Sequence, residues 1–186
     1  RGVDLVPVVD GEVDEMGIFE GANFFVTTRA GALQDTGVSK PWSNEPVGVG
    51  YDPLGNRLFV TDDDQREVFE LVAGTDGRFG TPDDTVTHFD TAAFGNTDPE
   101  GVEYDPATGS LWFADGTNAE VFRVLPGPDG RFGTSDDLES QFDIGRYGAR
   151  DPEGIGFDGV RDTLVVVDDS SERIYELDRD GALLNT

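Results

Sequence analysis

The sequence contains no cysteine, a single histidine and few basic residues. Without cysteine, no disulfide framework can stabilise the fold. The histidine, His88, has no serine or cysteine nucleophile beside it in the sequence, so a catalytic triad has no support. The chain has 13 Lys and Arg against 39 Asp and Glu, and its formal charge of −26 repels nucleic acid and anionic membrane surfaces. We therefore expect cations as partners and no nucleic acid.

Long apolar runs and helical periodicity are also missing. No run of about 18 apolar residues exists to span a bilayer, so we expect no membrane insertion. The first residues, "RGVDLVPVVDGEVDE", lack the basic start and apolar centre of a secretory signal, and we expect any export signal to have been removed or to lie outside this segment. No segment combines helical spacing with caps, which excludes α/β folds and helical solenoids.

The chain does contain a repeat of 53 residues. Three segments align without gaps and begin with "EPVGVGYDP", "DPEGVEYDP" and "DPEGIGFDG". The matched positions are Pro46, Pro99 and Pro152; Asp52, Asp105 and Asp158; and Asp62, Asp115 and Asp168. At the front, "DLVPVVD" resembles "TLVVVDD" and "NFFVTTRAGAL" resembles "RIYELDRDGAL". We expect one domain over residues 1–186, with a partial repeat at 1–44, full repeats at 45–97 and 98–150, and a partial repeat at 151–186.

Each unit predicts four short strands separated by turns. In the unit that starts at Asp98, the runs are "VEYD", "LWFAD", "EVFRVL" and "ESQFDI". Four antiparallel strands recurring at this period are typical of the blades of an all-β β-propeller. A tandem sandwich array or a β-solenoid is the alternative, although solenoid rungs are usually shorter. The chain holds about three and a half units, so we expect a propeller fragment or a ring completed by another copy.

The first motif of interest is the "PEG" that opens two units. In a propeller whose first strand lies innermost, Glu100 and Glu153 point at a common centre. Carboxylates that converge in this way repel one another unless a cation lies between them, and Ca²⁺ accepts several oxygen ligands at flexible geometry. The alternative is that both side chains bind neighbouring amides or arginines and close the blade junctions. The unit before them has Val47 at the same position, so the ring of carboxylates is incomplete.

The segments "DPEGVEYDPATGSLWFADG" and "DPEGIGFDGVRDTLVVVDD" resemble blades of the phytase-like esterase and SdiA-regulated propellers, and more loosely of NHL and gluconolactonase-type propellers. The resemblance covers the chain from about Glu45 to its end. In gluconolactonase-type enzymes a Glu of a similar motif holds a catalytic divalent metal. The resemblance therefore implies that Glu100 or Glu153 is a metal ligand.

The second motif is a polar loop that occurs twice, as "GTDGRFGTPDD" at 74–84 and "GPDGRFGTSDD" at 127–137. We expect it between the third and fourth strands of a blade, on the outer rim. Its carboxylates recur in register and repel one another unless they are neutralised, so we predict a calcium site in each loop. The predicted ligands are Asp76, Asp83 and Asp84 in the first loop and Asp129, Asp136 and Asp137 in the second. The alternative is a turn in which the Asp side chains cap amides and Phe79 or Phe132 covers the blade edge.

These patterns predict a calcium-binding β-propeller that acts as a binding or scaffold module. We expect it in a secreted, extracellular or cell-envelope protein, because calcium loops of modest affinity fill only where calcium is millimolar. Other copies of the chain or an extracellular protein are the expected partners besides calcium. The alternative is a metal-dependent hydrolase of phosphoesters or lactones with its metal in the central channel. Asp62, Asp115 and Asp168, which close the second strands, are predicted to be structural.

Overall fold

The computed structural model of the chain describes residues 3–6, 15–20, 23–28 and 30–186. Residues 7–14, which include part of the partial first repeat, lie outside the described residues. Within the described residues, sixteen β-strands form four antiparallel sheets of four consecutive strands each, with no α-helix. This arrangement confirms the predicted all-β propeller class. Each sheet is one blade, and the blades are numbered here in chain order.

The strands of blades 1 and 2 are β1 (Val3–Val6), β2 (Glu15–Glu20), β3 (Asn23–Thr28), β4 (Leu33–Val38), β5 (Pro46–Asp52), β6 (Arg57–Asp62), β7 (Glu67–Val72) and β8 (Thr85–Asp90). Those of blades 3 and 4 are β9 (Pro99–Asp105), β10 (Ser110–Asp115), β11 (Glu120–Leu125), β12 (Leu138–Asp143), β13 (Pro152–Asp158), β14 (Thr163–Asp168), β15 (Arg173–Leu177) and β16 (Leu183–Asn185). Short 3-10 helices at Ala92–Phe94 and Gly145–Tyr147 lead from one blade to the next.

The first strand of each blade lies on the inner side of the molecule. Within a blade the strands pair in chain order, so the first strand is an edge strand. The edge strand β9 packs against both β5 and β13, and β5 packs against β1. The first strands are therefore neighbours around a common axis, and the fourth strands form the outer rim. This confirms the geometry from which an axial position was expected for Glu100 and Glu153.

In blades 2, 3 and 4, the turn after the first strand and the turn after the second strand each place a residue in the left-handed region of φ. These residues recur at the 53-residue spacing, as Asn56, Gly109 and Asp162 in the first turn and Arg66, Ala119 and Glu172 in the second. Their φ angles lie between 48° and 72°. Only one of the six is a glycine, so the other five hold a β-carbon in a conformation that costs about 1 kcal/mol. The shared turn geometry explains why the blades align without gaps.

Apolar cores fill the spaces between consecutive blades. The three cores include Phe24, Tyr51 and Phe69; Phe59, Tyr104 and Phe113; and Trp112, Leu164 and Tyr175. Phe79 and Phe132, from the repeated polar loops, are buried in the first and second of these cores. The loops therefore reach back over the preceding blade, and their phenylalanines fasten one blade to the next.

Candidate metal centre

Three buried aspartates hold the chain segments at the axial end of the blades by accepting backbone hydrogen bonds. They are Asp62, Asp115 and Asp168, and each ends a second strand. Asp62 shows the arrangement: one carboxylate oxygen accepts a hydrogen bond from the Asn44 amide at 2.9 Å, and the other accepts one from the Gln65 amide at 2.8 Å. Asp115 and Asp168 accept equivalent bonds. Each aspartate thereby ties the end of the second strand to the segment before the first strand, which is the structural role that the sequence predicted.

These ties bring together acidic side chains that follow a second strand and acidic side chains that begin a first strand. Asp63 follows β6 of blade 2, whereas Asp98 precedes β9 of blade 3 and Glu100 lies within that strand. One carboxylate oxygen from each of these three residues lies within 4.8 Å of the other two, and all three side chains are half-buried. The three residues come from two different blades, so an ion held by them would join blade 2 to blade 3.

Further carboxylates surround this triad on the side of blade 4. Burial together with Glu153, Asp98, Asp63 and Asp151 raises the pKa of Glu100 to about 8, from an ordinary value of 4.5. The pKa of Glu153 is also raised, by burial first and then by Asp151 and other carboxylates. Like charges that share a partly desolvated site disfavour the ionised form of each other. We call Asp63, Asp98, Glu100, Asp151 and Glu153 the axial cluster.

The described residues place few neutralising groups around the axial cluster. Within the described part of the chain, no Lys or Arg forms an ion pair with the five carboxylates. Asp98 accepts a hydrogen bond from the Thr117 hydroxyl at 2.8 Å, but the Glu100 side chain has no such described donor. Gly116 stands where the other units have Asp63 and Asp169, and a β-carbon there would lie 2.9 Å from an Asp98 oxygen. Half-buried carboxylate oxygens from several residues are the donor set that Ca²⁺ prefers.

A second group of three carboxylates lies at the outer edge of the first. Glu45, Asp63 and Asp64 also place one oxygen each within 4.8 Å of the others, and Asp63 is common to both groups. Asp63 and Asp64 raise the pKa of the exposed Glu45. Because Asp63 takes part in both groups, it is the residue on which a bound cation would depend most.

Glu153 lies near enough to Glu100 to raise the pKa of Glu100. Glu153 is exposed, however, and among the described residues it is not in either group of three carboxylates with oxygens within 4.8 Å of one another, so its role as a metal ligand stays a prediction.

The sequence analysis did not name Asp63 and Asp98. A signal for Asp98 was present, because the residue before the first-strand proline is acidic in all three aligned units: Glu45, Asp98 and Asp151. The signal for Asp63 is weaker, because its repeat position is aspartate in two of the three units and Gly116 in the other. Asp63 meets Asp98 and Glu100 across a blade boundary, and it occupies a different position of the repeat.

The repeated polar loops lie between β7 and β8 and between β11 and β12, at the predicted place on the rim. In the first loop, Asp84 accepts hydrogen bonds from the amides of Gly80 at 2.7 Å and Thr81 at 3.1 Å. Asp83 accepts bonds from the Thr75 amide at 2.7 Å and the Thr81 hydroxyl at 2.8 Å. These donors, the Thr81 hydroxyl first, lower the pKa of Asp83. The loop carboxylates are thus turned towards the loop's own donors.

The second loop repeats this arrangement. Asp137 accepts bonds from the amides of Gly133 at 2.7 Å and Thr134 at 3.2 Å, and Asp136 accepts one from the Thr134 hydroxyl at 2.6 Å. Asp129, like Asp76 in the first loop, accepts only one amide bond, at 2.9 Å. In the described residues, the two loops are not among the groups of three carboxylates with oxygens within 4.8 Å of one another. Calcium binding by these loops stays a prediction.

His88 lies on β8 at the exposed rim, far from the axial cluster in the fold. Its Nδ1 atom is 3.0 Å from a carboxylate oxygen of Glu67 on the neighbouring strand, and its ring lies 5.6 Å from that of Phe69. The ion-pair contact with Glu67 and the ring contact with Phe69 give His88 a structural role within blade 2.

Comparison with known proteins agrees with this architecture. The model of the family described as SdiA-regulated matches residues 43–186, which include all of blades 2, 3 and 4. The chain belongs to the SdiA-regulated family. No curated protein matches it at a significant level. The part of this SdiA-regulated chain that matches its family contains the whole axial cluster.

Solved structures show the same fold at low identity. A streptogramin B lyase structure is 17% identical, with a TM-score of 0.60, and the match covers 95% of this chain and 52% of that one. A nidogen/laminin complex is 15% identical, with a TM-score of 0.64, and the match covers 92% of this chain and 58% of that one. A luciferin-regenerating enzyme is 15% identical, with a TM-score of 0.63, and the match covers 97% of this chain and 60% of that one. The chain therefore spans between half and three-fifths of the length of these structures.

The described residues contain no helix that is long and apolar enough to cross a membrane.

Proposed function

We propose that this chain is a β-propeller module that binds a divalent cation, Ca²⁺, in the axial cluster and uses the bound ion to hold neighbouring blades together. The observation that carries the proposal is the triad of Asp63, Asp98 and Glu100. Its oxygens lie within 4.8 Å of one another, its residues come from two blades, and its side chains are half-buried. The module then acts as a rigid surface for binding or scaffolding.

The electrostatics of the cluster support a cation rather than a network of protein contacts. The pKa of Glu100 is shifted the most, because the side chain is half-buried near four other carboxylates and has no described basic partner. A bound divalent ion reverses this effect by favouring the ionised form of every ligand. Calcium fits better than magnesium, since Ca²⁺ accepts six to eight oxygen ligands at flexible geometry, whereas Mg²⁺ needs a near-ideal octahedral shell.

Calorimetric titration of Ca²⁺ into chelator-treated protein at pH 7.5 and 0.15 M NaCl tests the proposal. We expect Glu100→Gln to weaken the axial affinity at least about tenfold, because it removes a charged ligand oxygen. The control is Glu139→Gln, which makes the same chemical change on the exposed strand β12 and leaves the affinity unchanged. Equal affinities for the wild type and Glu100→Gln would contradict axial binding.

The same titration addresses calcium in the polar loops, which we propose as weaker sites. Asp129 accepts one amide hydrogen bond, and Asp76 accepts one amide bond and a long bond of 3.5 Å from the Thr81 hydroxyl, so both have carboxylate oxygens available to an ion. Asp76→Asn and Asp129→Asn together are expected to remove the weaker binding events and to leave the axial event intact. An unchanged isotherm in this double variant would assign all calcium binding to the axis.

A metal-dependent hydrolase is a second candidate function, and one observation favours it. In this alternative Glu100 is not a metal ligand: its pKa in the metal-free chain is raised to about 8, which favours its protonated form at neutral pH, and Asp63 and Asp98 beside it are the candidate ligands. A protonated acid beside a metal-bound water is an arrangement that serves hydrolysis of phosphoesters or lactones. Turnover of p-nitrophenyl phosphate or a γ-lactone in the presence of Ca²⁺, lost in Glu100→Gln, is the expected result. Turnover that is equal in this variant and the wild type would exclude the hydrolase.

We also propose a location outside the cytoplasm, in a secreted or envelope protein. The support is chemical: loop sites of modest affinity are occupied only at millimolar calcium. Dissociation constants below about 10 nM for every site would remove this argument, because such sites fill at cytosolic calcium levels.

A further inference from the structure

A pocket of about 400 Å³ lies on the outer rim, between blade 2 and the polar loop of blade 3. One wall comes from β7 and β8 and includes Glu70, Val72 and Thr87, and the other comes from the loop and includes Arg131 and Phe132. Blades 2 and 3 each have a described blade on both sides, so the pocket lies inside the row of four blades and not on its first or last face.

The arginine of the polar loop has different surroundings in the two loops. Arg78 and Arg131 occupy the same position of the loop repeat. The Arg78 Nε atom lies 3.2 Å from a carboxylate oxygen of Asp35 on β4 of blade 1. Among the described residues, Arg131 has no such ion pair. The chain therefore supplies a carboxylate for the first arginine and none for the second.

The strand register identifies the residue that replaces Asp35 beside the second loop. Gly37 on β4 and Phe89 on β8 are equivalent, because a glycine of the following polar loop packs against each of them. Asp35 lies two residues before Gly37, and Thr87 lies two residues before Phe89, so each is on the same face of its strand as that contact. Thr87 thus places a hydroxyl where blade 1 places a carboxylate.

The other lining side chains suit an apolar group next to a carboxylate. The rings of Phe89 and Phe132 are stacked with their centroids 6.4 Å apart, and Val72 beside them is partly exposed. Glu70 is the acidic residue of the described lining, and its carboxylate lies 2.8 Å from an Arg57 nitrogen. The Arg131 guanidinium therefore has no counter-charge of its own among the described lining residues.

We propose that this pocket binds a small organic carboxylate. The carboxylate of the ligand takes the place of Asp35 as the partner of a loop arginine, here Arg131, and the apolar group of the ligand lies against Val72 and the two phenylalanine rings. A guanidinium presents paired donors that match a carboxylate. The apolar contact adds affinity that a partly exposed ion pair does not supply alone. This site is independent of the axial cluster.

The charge of the chain favours a ligand with a single negative charge. A formal charge of −26 repels every anion, and the repulsion grows with the charge of the ligand. Arg131 offsets one charge, so a monocarboxylate is preferred to inorganic phosphate. A free acid and the C-terminus of a peptide both offer this chemistry, and they differ in what precedes the carboxylate.

Titration of sodium butyrate into the isotope-labelled chain, followed by the amide and arginine Nε–Hε signals in two-dimensional NMR, tests the proposal. At a constant ionic strength of about 0.15 M, we expect saturable shifts at Arg131 and Thr87. Butyramide has the same shape without the charge and should bind at least about tenfold more weakly. N-acetylglycylvaline is the peptide probe. Binding at least about fivefold tighter than that of butyrate assigns the pocket to a peptide end, weaker binding assigns it to a free acid, and equal binding shows that the carboxylate itself is recognised.

Matched variants test the assigned partners. Arg131→Gln should weaken butyrate binding at least about tenfold, whereas Arg78→Gln makes the same change on the paired arginine and leaves the binding unchanged. Thr87→Asp restores the carboxylate that blade 1 has, so it should pair with Arg131 and block butyrate. Thr87→Asn has the same size without the charge and should keep the affinity within about threefold of the wild type.

Four results would each overturn the proposal. They are the absence of saturable shifts up to about 50 mM butyrate, equal binding of butyrate and butyramide, tighter binding of inorganic phosphate than of butyrate, and equal affinities in the wild type and Arg131→Gln. Arg131 and Thr87 are both exposed, so their variants should keep the wild-type spectrum away from the pocket.

Discussion

Glu100 illustrates how one side chain can set the pH dependence of this fold. Its pKa is raised from 4.5 to about 8, chiefly by burial and then by neighbouring carboxylates. In the absence of metal, the folded chain therefore holds one more proton than the unfolded chain between these two values. Linkage then requires the free energy of unfolding to fall as pH rises across that window. The stabilising contribution is complete below pH 4.5 and is lost as pH passes 8.

The prediction is that chelator-treated protein loses stability between pH 5 and pH 8.5, and that Glu100→Gln removes part of this loss. At pH 8.5 we expect the variant to melt about 2–4 °C higher than the wild type, which corresponds to about 1 kcal/mol for a chain of this size after allowing for solvent screening. Thermal denaturation followed by circular dichroism measures the difference. Parallel pH profiles for the two proteins would show that Glu100 titrates at its ordinary pKa.

Asp84 and Asp76 share one loop but are expected to respond differently to mutation. Asp84 accepts hydrogen bonds from the amides of Gly80 and Thr81, whereas Asp76 accepts one from the amide of Arg78. Asp84→Ala leaves several donors without a partner and should cost about 1–3 kcal/mol of folding free energy. Asp76→Ala should cost less than about 1 kcal/mol. Urea denaturation in EDTA measures both, and equal losses would contradict the hydrogen-bonding account of the loop.

At the scale of the element, the polar loop of blade 3 packs against blade 2 and holds the two blades together. Phe132 projects from the loop of blade 3 into the second core, where its ring lies 5.2 Å from that of Phe59 and the Arg57 guanidinium lies above it. Phe132→Ala should destabilise the fold by about 3–5 kcal/mol. Leu138→Ala, at an exposed position just beyond the loop, should change stability by less than about 0.5 kcal/mol. Chemical denaturation measures the loss of unfolding free energy in each variant. Similar losses would contradict the role of the loop in holding the blades together.

The second hairpin turn offers a stabilising substitution. Glu172 holds a φ of 55°, where a β-carbon is strained. Glu172→Gly relieves the strain and should raise the free energy of unfolding by about 0.5–1 kcal/mol. Glu172→Ala is the control, because it removes the same charge and keeps the β-carbon, and it should give no such gain. If both variants gain equally, charge rather than backbone geometry explains the effect.

Sequence periodicity predicts elements more completely than it predicts sites. The 53-residue repeat was sufficient to predict four-stranded blades and the rim position of the polar loops, because equivalent residues occupy equivalent places in each blade. The axial triad breaks this rule. Asp63 follows a second strand and Asp98 precedes a first strand, so no alignment of equivalent positions pairs them. The angle and spacing between blades, which the packed cores determine, bring them together.

At the scale of the whole molecule, the net charge and the axial cluster act in the same direction. A chain with a formal charge of −26 is destabilised by its own repulsion, and this effect is diffuse and screened by any salt. The axial cluster concentrates the same sign of charge at the junction of blades 2, 3 and 4, where a single divalent ion can offset it. Salt and calcium should therefore both stabilise the fold, but through different mechanisms.

The two mechanisms can be separated at constant ionic strength. Raising NaCl from about 0.02 to 0.5 M should increase the melting temperature by several degrees in every variant, because screening depends on the total charge. Adding 2 mM CaCl₂ in place of 6 mM NaCl keeps the ionic strength equal, and it should add about 2.7 kcal/mol if calcium is at 100 times its dissociation constant. Asp63→Asn should lose most of this calcium increment and keep the sodium response, because Asp63 belongs to both groups of axial carboxylates. If CaCl₂ raises the free energy of unfolding no more than NaCl does at the same ionic strength, calcium acts only by screening charge. Neither the axial cluster nor the polar loops would then bind a specific ion.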